Sequence, residues 1–211
     1  MQILLGTTNP AKVRMFEKWF QGYDVSFVTP RDLNIEAEPV ENGADPRENA
    51  RLKAEFYGRY ADYVICNDSG LYFAALPLED PRQPGLHIRT PQGKRLDDDE
   101  MIAYYSSLIG QLGGKVKAFY LDGFALKTPA GTLTYLDTME EAEKKASCMV
   151  AEPYPVRRPG WPLDSLSLMP DGETPFLQKD KPKEMFKLST DKKTNPWLPF
   201  LLEGLGLEKQ G

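Results

Sequence analysis

The chain changes its period within the first twenty residues. Gln2 to Leu5 is a short, largely apolar run that reads as a buried strand, and Gly6-Thr7-Thr8-Asn9-Pro10 breaks it. From Ala11 to Phe20 the apolar residues Val13, Phe16 and Phe20 return on one helical face, with Gly22 beyond them as the stop. The same alternation recurs. Tyr23 to Val28 reads as a second strand. Asp45-Pro46-Arg47-Glu48 reads as a helix start, with Asp45 as cap, Pro46 at the first helical position and Glu48 closing a capping box. That helix is expected to reach about Tyr60, and Tyr63-Val64-Ile65-Cys66 to form a third buried strand. Strands alternating with helices predict a mainly α/β architecture with a mixed sheet.

Beyond these elements the organisation loosens. A linker rich in Pro, Gly and Arg spans Pro77 to Lys94, and Asp97 or Asp98 caps a helix that Gly113-Gly114 stops. Val116 to Leu126 and Thr132 to Asp137 flank a turn at Thr128-Pro129-Ala130-Gly131 and read as a hairpin. Glu140 to Lys145 has helical propensity but lies between strand-like segments, and an extended strand is expected there. An irregular loop follows from Pro153 to Pro162. Lys179 to Lys193 holds six lysines, a basic stretch in a chain whose net charge is −5.

Composition removes whole mechanisms. Of 211 residues one is histidine, His87, so His-clustered zinc sites are excluded. Cys66 and Cys148 form no C-x-x-C pair, and both lie in apolar stretches as small core residues. No G-x-S-x-G elbow is present; Ser69 comes nearest, with Asn67 where the first Gly should be. The acidic balance argues against nucleic-acid or anionic-membrane partners. No apolar run is long enough to cross a membrane, and no signal peptide is evident, so a cytoplasmic protein is expected. The remaining chemistry belongs to carboxylates and lysines, with or without a metal ion.

Three places offer it. At Gly6 to Lys12, unpaired N–H groups at a helix start favour an anion against Thr7, Thr8 and Asn9, and Lys12 adds a full charge. The same residues also suit a plain helix cap. The stretch is no Walker A loop, because Ala11 replaces its second Gly and Val13 its magnesium-binding hydroxyl. Asp68, following a buried strand, either holds magnesium or activates water, or else satisfies backbone groups in an Asx-turn. Ser69 beside it offers a donor to a phosphate oxygen. Glu41, ahead of the second helix, is a second carboxylate or solvated surface.

In order and spacing, Thr7-Thr8-Asn9-Pro10-Ala11-Lys12, Glu41, Glu48-Asn49-Ala50 with Lys53-Ala54, and Asp68-Ser69-Gly70-Leu71 resemble the inosine triphosphate pyrophosphatase family. Pro84-Gly85-Leu86-His87-Ile88-Arg89 is similar to that family's next motif. Gly160-Trp161-Pro162-Leu163-Asp164, followed by Pro170-Asp171-Gly172, is similar to its base-binding loop. The resemblance spans about residues 2 to 202. It implies one domain, 1–211, of two lobes around a long central cleft, usually a homodimer. It also implies magnesium-dependent hydrolysis of noncanonical purine nucleoside triphosphates (ITP, XTP, dITP) to a monophosphate and pyrophosphate.

Under the resemblance, Thr7, Asn9 and Lys12 grip the triphosphate, and Lys53 and Arg89 add positive charge. Glu41 and Asp68 hold magnesium, with Asp68 orienting or deprotonating the attacking water. Trp161 stacks on the base, Asp164 bonds to it, and Lys192 lies near base and ribose. The departures fall mainly on the base side. Thr8 replaces a Gly, Asn67 a frequent second acid, and Pro162-Leu163 a Gly-Tyr pair. Thr194-Asn195-Pro196-Trp197 occupies the place of a Ser-His-Arg whose His and Arg read the purine O6 side. Altered base recognition is therefore expected. Two other readings stay open: a Maf-like pyrophosphatase acting on other nucleotides, and a nucleotide sensor without turnover.

Overall fold

The computed structural model describes residues 1–179 and 195–208. The fold is mixed α/β, and the chain divides into two compact units. Unit 1 comprises Met1–Ser69, Asp122–Asp137 and Thr190–Gly211; unit 2 comprises Gly70–Leu121 and Thr138–Ser189.

Unit 1 opens with β1 (Gln2–Leu5), α1 (Pro10–Trp19) and β2 (Ser26–Val28), followed by α2 (Pro46–Tyr57) and the start of β3 (Val64–Phe73). Strand β1 lies between β2 and β3 and runs parallel to both, with Ile3 beside Phe27 and Leu4 beside Val64. The last part of β4 (Lys115–Thr128) pairs antiparallel with β5 (Gly131–Leu136), giving the order β2-β1-β3-β4-β5.

Period-two alternation explains why β1 is apolar on consecutive residues. Ile3, Leu5, Ile65, Phe124 and Leu126 face a cluster formed with Phe16 and Phe20 and with Trp197, Leu198 and Leu201 of α5 (Trp197–Gly204). Leu4, Val64, Cys66 and Ala125 face the other way, onto Ala50, Ala54 and Tyr57 of α2. A strand covered on both faces has no polar side to show. Burial pushes the Cys66 thiol up to about 12, as suits an inert core residue, whereas Cys148 is only half-buried.

Two glycines let α2 and its neighbours approach closely. A Cβ on Gly123 would stand 2.2 Å from the Arg47 nitrogen and 2.3 Å from the Pro46 carbonyl carbon. One on Gly6 would stand 2.2 Å from Cys66 Sγ. Only a residue without a side chain fits at such distances.

In unit 2, α3 (Asp98–Gln111) carries Met101, Ile102, Tyr105, Leu108 and Ile109 against Leu71 and Phe73, Val116 and Ala118, and Met149 of β6 (Ser147–Val150). Strand β6 pairs antiparallel with the first residues of β4. Among the described residues no helix is long and apolar enough to cross a membrane.

Several sequence expectations are corrected. Residues 140–145 are not extended: Met139–Lys144 forms α4, because Thr138 and Glu141 make a complete capping box that fixes a helix start whatever its neighbours. Glu48 does not close a box on Asp45. Asp45 caps the Glu48 N–H at 2.8 Å, but the Glu48 carboxylate accepts from the Ala44 N–H, one residue upstream. Strand β2 begins at Ser26 rather than Tyr23, and α2 ends at Tyr57 rather than Tyr60. Strand β3 does not stop at Cys66. It continues through Asn67-Asp68-Ser69-Gly70 to Phe73, so Asp68 lies inside a strand and the Asx-turn reading fails.

Candidate active site

A buried polar cluster of unit 1 is assembled by α2. Asn49 and Lys53 are one turn apart on its buried face, 4% and 7% exposed, among Ala50 and Ala54. A polar pair on a buried face requires partners, and both have them. Asn49 Nδ2 donates to Asp68 Oδ2 at 2.9 Å, and Lys53 Nζ donates to Asp68 Oδ1 at 3.1 Å. Lys53 Nζ also donates to Glu41 Oε2 at 2.9 Å. Asn49 Oδ1 accepts the Gly43 N–H at 2.8 Å, which fastens the loop carrying Glu41 to the first turn of α2. A Cβ on Gly43 would come within 2.8 Å of Asn49, so this junction too depends on glycine.

The two carboxylates named from the sequence as metal ligands thus share one buried ammonium. Burial opposes the charge on Lys53, but Asp68 and Glu41 together outweigh it and hold the lysine above its ordinary range. Strand alternation puts Asp68 on the α2 face with Cys66. Ser69 donates instead to Asp122 Oδ1 of β4 at 2.6 Å.

The loop between β1 and α1 supplies the positive side. Asn9 caps α1 through Oδ1, which accepts the Ala11 N–H at 2.9 Å, and the Asn9 N–H donates to Thr7 Oγ1 at 3.2 Å. The capping role read from the sequence is therefore real for Asn9. Thr8 is exposed, while Thr7, Asn9 and Lys12 are half-buried. Among the described residues Lys12 has no carboxylate within ion-pairing distance. Burial, and then Lys53, lower its pKa from the ordinary lysine value, against the pull of Asp68, Asp122 and Glu41. Lys12 is thus within electrostatic reach of the whole cluster.

Two members have no site role in the sequence reading. Asn49 enters it only within the Glu48-Asn49-Ala50 motif, with no role of its own. Asp122 is the lone acid in the strand Val116 to Leu126, immediately before the close-packed Gly123.

The remaining candidates belong to unit 2. The Pro84-Gly85 turn is fastened to β3 by two hydrogen bonds between Leu71 and Gly85, at 2.9 and 2.8 Å, with Gly85 in the left-handed region at φ +54°. Arg89 pairs with Asp98 Oδ1 at 2.9 Å, and Asp98 Oδ2 accepts the Gly160 N–H at 3.0 Å. Arg89 therefore helps anchor the loop that carries Trp161. Trp161 is half-buried and outside the core cluster of unit 2, with its Nε1 buried and lacking a partner among the described residues. Asp164 lies in the 3₁₀ turn Pro162–Ser165 and pairs with Arg158 at 2.9 Å. Trp197 is no surface residue: it stacks on Phe124 at 4.5 Å in the core of unit 1. Lys192 and Thr194 lie outside the described residues.

Residues 3–142 match the Ham1 family, and the chain belongs to it. The dITP/XTP pyrophosphatase of Leptospira interrogans is 28% identical over 183 residues, covering 84% of this chain and 85% of that protein. The fold is similar to that of the Staphylococcus aureus Ham1 protein, with TM-score 0.67 and 23% identity over 97% of this chain and 99% of that one. It is also similar to a HAM1 protein from Coxiella burnetii, with TM-score 0.68 and 19% identity over 96% and 99% of the two chains. The family resemblance read from the sequence stands.

Proposed function

We propose that this enzyme is a magnesium-dependent nucleoside triphosphate pyrophosphohydrolase acting on noncanonical purine nucleotides. It releases pyrophosphate and a nucleoside monophosphate. The observation that carries the reading is the Glu41–Lys53–Asp68 cluster, fixed by Asn49 and set within electrostatic reach of Lys12, which has no ion pair among the described residues. The name of the Leptospira relative, aligned over most of both chains, supports the same substrates.

Phosphoanhydride cleavage needs charge neutralisation and an aligned water more than covalent catalysis. Among the described residues no group of three or more His, Cys, Asp or Glu side chains is arranged to hold a metal. Glu41 and Asp68 nevertheless fit magnesium, which is commonly held by one or two carboxylates completed by substrate phosphates. The ion would neutralise phosphate charge and lower the pKa of bound water. Asp68 accepts one hydrogen bond on each oxygen, which leaves lone pairs to orient a water or take its proton. Lys12, Thr7, Thr8 and Asn9 receive the phosphates at the helix start. An arriving anion opposes the effect of burial and Lys53 on Lys12 and favours its charged form.

The base side is proposed to rest on Trp161 and Asp164. Recognition is proposed to be altered from the family pattern, because Thr194-Asn195-Pro196-Trp197 stands in the place of the family's Ser-His-Arg. A homodimer working in the cytoplasm on nucleotide house-cleaning belongs to the same proposal. A panel of nucleoside triphosphates assayed for pyrophosphate, with and without magnesium, tests it. Release from inosine or xanthosine triphosphates is expected. Binding without release would favour a sensor, and activity confined to other nucleotides a Maf-like enzyme.

A further inference from the structure

Arg158 has no role in the reading above, yet it touches both proposed base contacts. Its guanidinium carbon lies 5.8 Å from the centroid of the Trp161 ring, and its Nη1 donates to Asp164 Oδ2 at 2.9 Å. The three side chains sit on one short stretch, stiffened by Pro159 and Pro162 and tied at the Gly160 N–H to Asp98. Gly160 takes φ +83°, a backbone that other residues rarely adopt. Ring face, guanidinium and carboxylate are therefore positioned as one set.

The set has a definite hydrogen-bonding grammar. A guanidinium offers only donors, and an ionised carboxylate only acceptors. Hydrogen-bonded side by side, with the guanidinium over the Trp161 ring, they complement a lactam edge, in which a C=O adjoins an N–H. The O6 and N1–H of a 6-oxopurine form such an edge. Adenine reverses both positions, placing an amino donor opposite the guanidinium and a bare ring nitrogen opposite the carboxylate. Such a mismatch leaves polar groups unpaired, which is how a site rejects a near-isostere.

We propose that Arg158 is a specificity-determining residue of the base site. It donates to O6 while Asp164 accepts N1–H, with the base stacked on Trp161. The guanidinium slides from the ring face to the base edge without leaving Asp164. This rests on the nucleotide reading above, and adds to it a residue that takes over edge recognition.

The test is kcat/KM of wild type, Arg158→Gln and Arg158→Lys for inosine, uridine and adenosine triphosphates, with melting temperatures to verify folding. Uridine shares the lactam edge but has a single ring, which separates edge reading from ring size. Arg158 is 50% exposed, so its contact belongs at the low end for charged hydrogen bonds. Arg158→Gln is expected to lower kcat/KM about tenfold for the inosine and uridine substrates and less than about twofold for adenosine. Arg158→Lys is expected to fall between wild type and Arg158→Gln. Equal losses on all bases, or an unchanged inosine-to-adenosine ratio in a folded Arg158→Gln protein, would overturn the assignment. A wild type that releases no pyrophosphate from any triphosphate would instead overturn the nucleotide reading on which it rests.

Discussion

In unit 1, Asp68 is held by Asn49 and Lys53, Lys53 by Asp68 and Glu41, and Asn49 by Asp68 and the Gly43 backbone. In unit 2, the Trp161 loop carries an ion pair between Arg158 and Asp164 and a backbone tie from Gly160 to Asp98, and its buried indole N–H has no partner among the described residues. The difference follows from what each region must place. Under the proposed function, a metal and an attacking water tolerate little misplacement, and the carboxylates proposed to place them are those fixed by neighbouring side chains. A flat ring needs a face and an edge, and adjustable side chains can supply both.

The contrast can be broken most severely at Asp68. Asp68→Asn keeps a side chain that Lys53 and Asn49 can still bond, but removes the proposed metal ligand and general base. The expected result is a fall in kcat of about 10²–10⁴, with nucleotide affinity nearly unchanged. Stopped-flow binding alongside steady-state turnover separates the two quantities.

Lys53→Met tests whether the cluster is also structural. Removing the shared ammonium leaves two carboxylates uncompensated, a loss of about 3–5 kcal/mol for fully buried groups. Glu41 is 44% exposed, so about 3 kcal/mol, the low end, is expected in urea unfolding. The same lysine fixes the sign of a pH effect. Its pKa is raised on folding, so its contribution is complete below the ordinary lysine value and is lost as pH climbs through the raised one. Lys53→Met should lack that alkaline loss.

Lys12→Ala should raise KM for triphosphates by about 10- to 150-fold while leaving affinity for the free nucleoside unchanged. Equal losses on both ligands would reduce Lys12 to a helix-start residue.

The smallest expected effect is a shift in a pH profile. Lys12 has its pKa lowered on folding, so it loses its charge at a lower pH than a free lysine would. Triphosphate KM should therefore begin to rise below the ordinary lysine pKa. Lys12→Arg, charged throughout, should flatten the rise.

Much of unit 1 was legible because its signals are local. The β1–α1 junction is written in consecutive residues, as is the Asp45-Pro46 start of α2. Strand β3 was read short because Asn67-Asp68-Ser69 look like a loop in isolation. The partners of Asp68 and Ser69, namely Asn49, Lys53 and Asp122, come from distant segments, and those contacts keep two of the polar residues in a strand. Asn49 shows the same limit from the other side, since nothing local says that an amide on a helix will meet Asp68. Helix α4 was missed through weighing its neighbours above its own cap. In unit 2 Trp161 and Asp164 were picked out, but Arg158 was not, because its meaning lies in what it touches.

The central claim is that the Glu41–Lys53–Asp68 cluster splits a triphosphate between its α and β phosphorus atoms. Incubating the wild-type protein with dITP, in magnesium and in EDTA, and quantifying pyrophosphate, orthophosphate and dIMP tests it most directly. Equimolar pyrophosphate and dIMP, formed only with the metal and lost in Asp68→Asn, is the predicted result. Orthophosphate as the first product, or release undiminished in a folded Asp68→Asn protein, would contradict it.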